Sequence, residues 1–183
     1  SDAEVQRLDI CWTATRGLIY VDGISSALFH ARHLALALSG GDLLRAARAI
    51  AFEAYLGVLT QGDRADAHSR QVFTALLAEP EVQADPYAFG MITQFWASCQ
   101  YMLCRFTAGV NDSDKGAAIL RDQCRGELHE VAQIEAHRAL MLMYLGRYGE
   151  VAVAAHAILQ ECAARPNPDV EGFAHGLLGW VVS

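Results

Sequence analysis

Two histidines three residues apart, His30 and His33, are the first residues in this sequence whose type and spacing could do chemistry. On a helix, residues three apart share a face, so both imidazoles could reach one metal ion. Zinc would need one or two more ligands, and Asp22, Glu53 or His68 would have to be brought in by folding. Arg32 stands between the pair, and its fixed positive charge disfavours a cation there. The pattern favours two histidines beside an apolar stripe over a metal centre.

Asp9 and Glu53 each lie among apolar residues. They could form a buried acid pair or be salt-bridge partners of Arg16, Arg45 or Arg48. Bracing ion pairs are the commoner use of such carboxylates. Cys99 and Cys104 are five apart and so point to different helix faces. No serine has a nucleophile-elbow context, no glycine-rich loop follows a strand, and no HExxH occurs. No catalytic residue and no cofactor is expected. Tyr87, Phe95, Trp96 and Tyr101, with Phe89, read first as core. They are also the best candidates to line an inter-helix groove for a peptide or small ligand.

The elements that must position these residues are helices. Of the 183 residues, 53% are apolar and 19% charged, with only four prolines, an apolar-rich composition unlike that of disordered chains. Much of the apolar content is Ala and Leu, which lose little entropy in a helix. The formal charge of −7 and scattered arginines argue against a nucleic-acid partner. Five cysteines without CxxC spacing fit a reduced compartment, so a cytoplasmic location is expected. The uncharged stretch at 86–104 is long enough to cross a bilayer. Thr93, Gln94, Ser98 and Gln100 in its middle favour a helix buried by protein neighbours instead.

Periodicity predicts helices at about 3–20, 24–39, 42–60, 65–78, 86–107, 113–124, 127–145, 148–164 and 169–182. In the second, Ile24, Leu28, Ala31, Ala35 and Leu38 form the apolar stripe expected to face the core. Gly40-Gly41 ends that helix, and Asp42 is placed to cap the next. Pro80 and Asp85-Pro86 bracket a loop. Turns are expected at 60–63, 108–111 and 145–148, with Asn111-Asp112-Ser113 capping a short helix. Pair beginnings near Asp42, Pro86, Glu127 and Pro168 repeat every 40 to 45 residues or so, as in two-helix solenoids. YLGRYGEVAVAA has the turn-then-small-residue layout of a tetratricopeptide-like hairpin. The expected fold is therefore all-α, a single domain of antiparallel helix pairs stacked as a right-handed tetratricopeptide-like array. The sequence stops on GLLGWVVS without a polar closing helix, so a fragment of a longer chain is expected.

Residues 7–55, RLDICWTATRGLIYVDGISSALFHARHLALALSGGDLLRAARAIAFEAY, resemble the helical region that follows the kinase and ATPase-like portions of large bacterial serine/threonine protein kinases. The family pattern LD-x-x-W matches at Leu8, Asp9 and Trp12, and G-L-x-x-x-D at Gly17, Leu18 and Asp22. F-x-A-R-H-L matches at Phe29, Ala31, Arg32, His33 and Leu34, and A-R-A-x-A-x-E-A at Ala47, Arg48, Ala49, Ala51, Glu53 and Ala54. Similarity returns around PYAFGM and LMLMYLGRY. The resemblance implies a non-catalytic interaction or regulatory segment whose partners are proteins or other domains of the same polypeptide. Ligand sensing in a helical groove is the alternative. Arg32, His33 and Glu53 are expected to brace the first helix pair.

Overall fold

Three aspartates start three of the helices. The Asp22 and Asp42 carboxylates accept from the amides of Ser25 and Arg45 at 3.0 Å, and Asp85 accepts from Ala88 at 2.7 Å. Each satisfies an amide that the first helical turn leaves without a partner. In the computed structural model, which describes residues 2–19, 21–124, 128–164 and 168–182, these helices belong to an ordered series. The series is α1 (Asp2–Leu18), α2 (Gly23–Gly40), α3 (Leu43–Gln61), a 3-10 turn (Gly62–Ala65), α4 (Asp66–Ala78), α5 (Pro80–Ala84), α6 (Pro86–Met102), α7 (Phe106–Gln123), α8 (Leu128–Tyr144), α9 (Tyr148–Ala164) and α10 (Pro168–Val182). Among the described residues there is no strand.

Neighbours in sequence pack as hairpins, α1 on α2, α3 on α4, α6 on α7 and α8 on α9. Each later pair is also tied to the one before it, because α3 touches α6, α6 touches α8, and α8 touches α10. α6 lies at the centre. All of its residues from Ala88 to Gln100 except Phe89 and Trp96 are buried, which is the role expected for the uncharged stretch. Among the described residues no helix is long and apolar enough to cross a membrane.

Several expectations need correction. The break expected at 108–111 is the interior of α7, and the true turn comes earlier, at Leu103–Arg105. There Cys104 takes φ 56, a left-handed value rare outside glycine, and Arg105 donates its amide to the Gln100 carbonyl at 2.8 Å. The same closure ends α8, where Gly146 has φ 72 and Arg147 donates to the Leu142 carbonyl at 2.9 Å. Glycine advertises the second turn in the sequence, while nothing advertises the first. Arg105 is then held by Asp66 at the start of α4, with Nη1–Oδ1 at 2.8 Å and Nη2–Oδ2 at 2.5 Å. That clamp holds the Asp66 carboxyl down at about 2, Arg105's hydrogen bond being the main cause.

Gly109, expected in a turn, is instead a packing residue. A Cβ there would run into the Met141 sulfur and the Gln100 Cβ. Gly90 likewise brings α6 close to α7, since a Cβ on it would lie 2.6 Å from Leu120 Cδ2. Asn111, Asp112 and Ser113 cap nothing, being mid-helix. The stretch between Pro80 and Pro86 contains the short helix α5, whose Val82 is fully buried. The expected end at Tyr20 and start at Glu127 lie outside the described residues, as do Pro166 and Asn167.

The largest correction concerns α2. Its buried residues are Ser26, His30, His33 and Ala37. The apolar stripe expected to face the core faces solvent, with Ile24 86%, Leu28 51% and Leu38 58% exposed and Ala31 and Ala35 exposed between them.

Candidate functional site

His30 and His33 point into the seam between α1, α2 and α3, each toward a different ring. His30 Nε2 lies 2.8 Å from Glu53 Oε2, and its ring meets Phe52 edge-on with centroids 4.8 Å apart. His33 is fully buried against Trp12, at 5.3 Å between centroids, with neither ring nitrogen hydrogen-bonded. Burial, with the Arg48 charge next, pushes the His33 imidazole down to about 4. Burial also lowers His30, partly opposed by Glu53. Asp22 is engaged as a helix cap and His68 is exposed on α4. Among the described residues no group of three His, Cys, Asp or Glu side chains could hold a metal.

The two carboxylates are parted. Asp9 receives Arg45 Nε and Nη2, each at 3.1 Å, and Arg45 Nη1 reaches Asp42 at 2.6 Å, so one guanidinium ties α1 to the start of α3. Glu53 serves His30 from a half-exposed position. Of the residues expected to brace the first pair, His33 and Glu53 have packing or bonding partners, whereas Arg32 is exposed.

Trp12 carries two cations that the sequence did not place. The guanidiniums of Arg16 and Arg48 lie 5.8 and 5.4 Å from its ring centre. Arg48 also lies 5.2 Å from the Tyr87 ring, and Arg16 lies 5.6 Å from Phe95 and donates to Gln133 Oε1. Such contacts contribute roughly 0.5–2 kcal/mol each, more as water is excluded. Phe52 and Phe95 complete the cluster edge-on to Trp12, at 5.8 and 6.2 Å.

The four rings expected to line one groove are distributed around α6. Phe95 is buried with Trp12 and Phe52, and Tyr87 lies under Arg48. Trp96 turns to Phe73 of α4, at 5.1 Å, with Arg70 6.0 Å from its centre. Tyr101 stacks on His137 of α8 at 5.8 Å, and His137 in turn meets Ser98 Oγ at 3.1 Å. One helix displays its side chains all round, so sequence proximity gave these rings no common face.

A groove does form elsewhere. About 570 Å³ of space lies between α2, α3 and α4, with Leu34, Leu38, Ile50 and Val72 as its apolar part and Glu53, Gln61, Arg64 and His68 as polar side chains. These residues come from three successive helices and the 3-10 turn between the last two, and no single sequence motif joins them. A smaller depression of about 240 Å³ on α7, α8 and α9 is bordered by Arg121, Glu135, Arg138 and Glu150. Its charges are already engaged, Arg121 with Glu135 at 2.9 Å, Arg138 with Asp114 at 2.5 Å and Glu150 with Arg147 at 2.6 Å.

No protein-family model, no curated protein and no solved structure matches this chain.

Proposed function

We propose that this chain is a non-catalytic interaction or regulatory segment of a bacterial serine/threonine protein kinase, built as a tetratricopeptide-like right-handed array. The kinase attribution rests on the resemblance of residues 7–55, and the observation that supports the interaction reading is the open groove between α2, α3 and α4, partly apolar and mixed in charge at Glu53, Arg64 and His68. Such a lining accepts an amphipathic segment, apolar side chains anchoring it and the polar positions fixing its register. The succession of helix hairpins in mutual contact supports the same reading, since such stacks present extended surfaces rather than enclosed reaction chambers. The titratable groups of the interior are engaged in packing and bracing contacts, His30 on Glu53 and Asp66 on Arg105.

The second reading, a sensor for a small effector, rests on the volume of the same groove, which falls in the range of about 300–1,000 Å³ used for small ligands. A photo-reactive amino acid at position 68, introduced into the protein in its native cells, separates the two. The interaction reading expects adducts with one defined protein segment, either a partner or another part of the same polypeptide, which disappear on Arg64→Glu. Adducts with a small molecule alone would replace it with the sensor reading. An open reading frame without a kinase domain would remove the kinase assignment.

A further inference from the structure

Helix α2 carries its apolar residues on the side away from its own protein. Val21 in the preceding turn is 84% exposed and Ile24 86%, and the ridge continues through Leu28, Ala31, Ala35 and Leu38. Within the helix the spacings from Ile24 to Leu38 alternate between four and three, which is the seam of a two-stranded coiled coil, and Val21 adds an exposed apolar side chain in the turn before it. The seam also reads the same way from both ends. Val21 and Leu38, Ile24 and Ala35, and Leu28 and Ala31 lie symmetrically about the midpoint between Phe29 and His30.

We propose that two copies of this chain associate through antiparallel α2 ridges in an isologous contact. An antiparallel crossing about that midpoint puts Ile24 of one copy against Ala35 of the other, and Leu28 against Ala31, in both directions at once. Large side chains then meet small ones, and the central alanines let the axes approach at the short end of the range of about 8–10 Å. Either orientation can be two-fold, but a parallel pairing would oppose Ile24 to Ile24 and Ala31 to Ala31, whereas the antiparallel one sets large against small. No charged side chain lies on the seam, so closing it strands no charge away from water. Covering all of the exposed parts of these side chains on two copies would remove at most about 1,200 Å², the lower edge of specific interfaces. The dimer is therefore a concentration-dependent one. The ridge meets the groove beside α4 at Leu38, which belongs to both, and the central Leu28–Ala31 contact lies outside the groove.

Sedimentation velocity over a wide concentration range tests it, with circular dichroism to check that each variant folds. The 183-residue chain should shift from monomer to dimer as concentration rises. Leu28→Lys, an exposed substitution that places two ammonium groups near the two-fold axis, should weaken association at least tenfold. Adding Ala31→Glu should restore it, because each lysine then faces a glutamate of the other copy. A chain that stays monomeric throughout overturns the proposal. So does dimerisation indifferent to Leu28→Lys, or a double variant no tighter than the single one. The protein in its full-length context staying monomeric, with the ridge protected by another segment, also overturns it.

Discussion

Between the first three helices and the last three, the interior changes character. Around α1, α2 and α3 it holds Trp12, His30, His33, Phe52 and two arginine guanidiniums, assembled by edge-on rings and cation contacts. Around α8, α9 and α10 it is Ala139, Met141, Leu142, Val151, Ala155, Ala174 and Leu177, with the Cys162 thiol among them. Large rings space helices widely and need polar edges placed; alanines draw helices together and ask only for removal from water. The first kind of interior specifies neighbours strongly and responds to protons. The second responds less to protons, its described histidine with a burial-lowered pKa being His137 at the α6 face of α8, and tolerates volume-conserving exchange.

The largest difference should appear on truncation. Phe52 is 1% exposed and touches the rings of Trp12, His30, Tyr55 and Phe95. Phe52→Ala should cost about 3–5 kcal/mol in urea unfolding, against about 2–5 for Leu142→Ala, and should shift the rings it leaves behind. A Leu142→Ala loss clearly exceeding the Phe52→Ala loss would undo the ranking.

The next effect is on pH. In the fold the His33 pKa is pushed down to about 4, against about 6.5 when unfolded, so as pH falls the unfolded chain binds the extra proton first. Stability from this residue is complete above about pH 6.5 and falls as pH drops toward 4, by on the order of 3 kcal/mol. His33→Leu should flatten that part of the urea midpoint against pH curve, and an unchanged curve would remove His33 from the account.

At the junction of the two regions, Gly90→Ala must push Leu120 aside. A helix-propensity gain of about 1 kcal/mol offsets part of an overpacking cost of roughly 1–3, leaving a modest loss in thermal unfolding. Gly116→Ala, whose Cβ would lie 3.4 Å from the Gly90 carbonyl oxygen, meets no comparable overlap and should be neutral or slightly stabilising. The smallest loss belongs to Glu53→Ala. Its exposed carboxylate contributes less than about 1 kcal/mol, while the His30 imidazole, relieved of the group that raises it, should titrate lower by NMR.

Much of the helix series was legible in the sequence because aspartate caps and glycine stops are local chemistry. Asp42 and Gly146 announced their boundaries. The turn at Cys104 did not, because a residue other than glycine holds the left-handed conformation there, closed by backbone hydrogen bonds and flanked by the Arg105–Asp66 clamp. Gly109 misled for the complementary reason, its missing side chain making room between helices rather than a bend. The stripe of α2 was read correctly as apolar and wrongly as inward. Periodicity finds a face, and only the neighbours decide which face is covered. Here Trp12, Phe52 and Glu53 receive the histidine face, and the apolar ridge remains outside. The groove beside α4 left no local trace.

Hydrogen exchange followed residue by residue at about pH 7.5 and about pH 5, corrected for intrinsic rates, tests the central contrast most directly. Protection in α1, α2 and α3 should fall markedly at the lower pH while that in α9 and α10 stays unchanged, and His33→Leu should remove most of the difference, His30 carrying the rest. A uniform loss across all the helices, or a loss confined to α9 and α10, would contradict it.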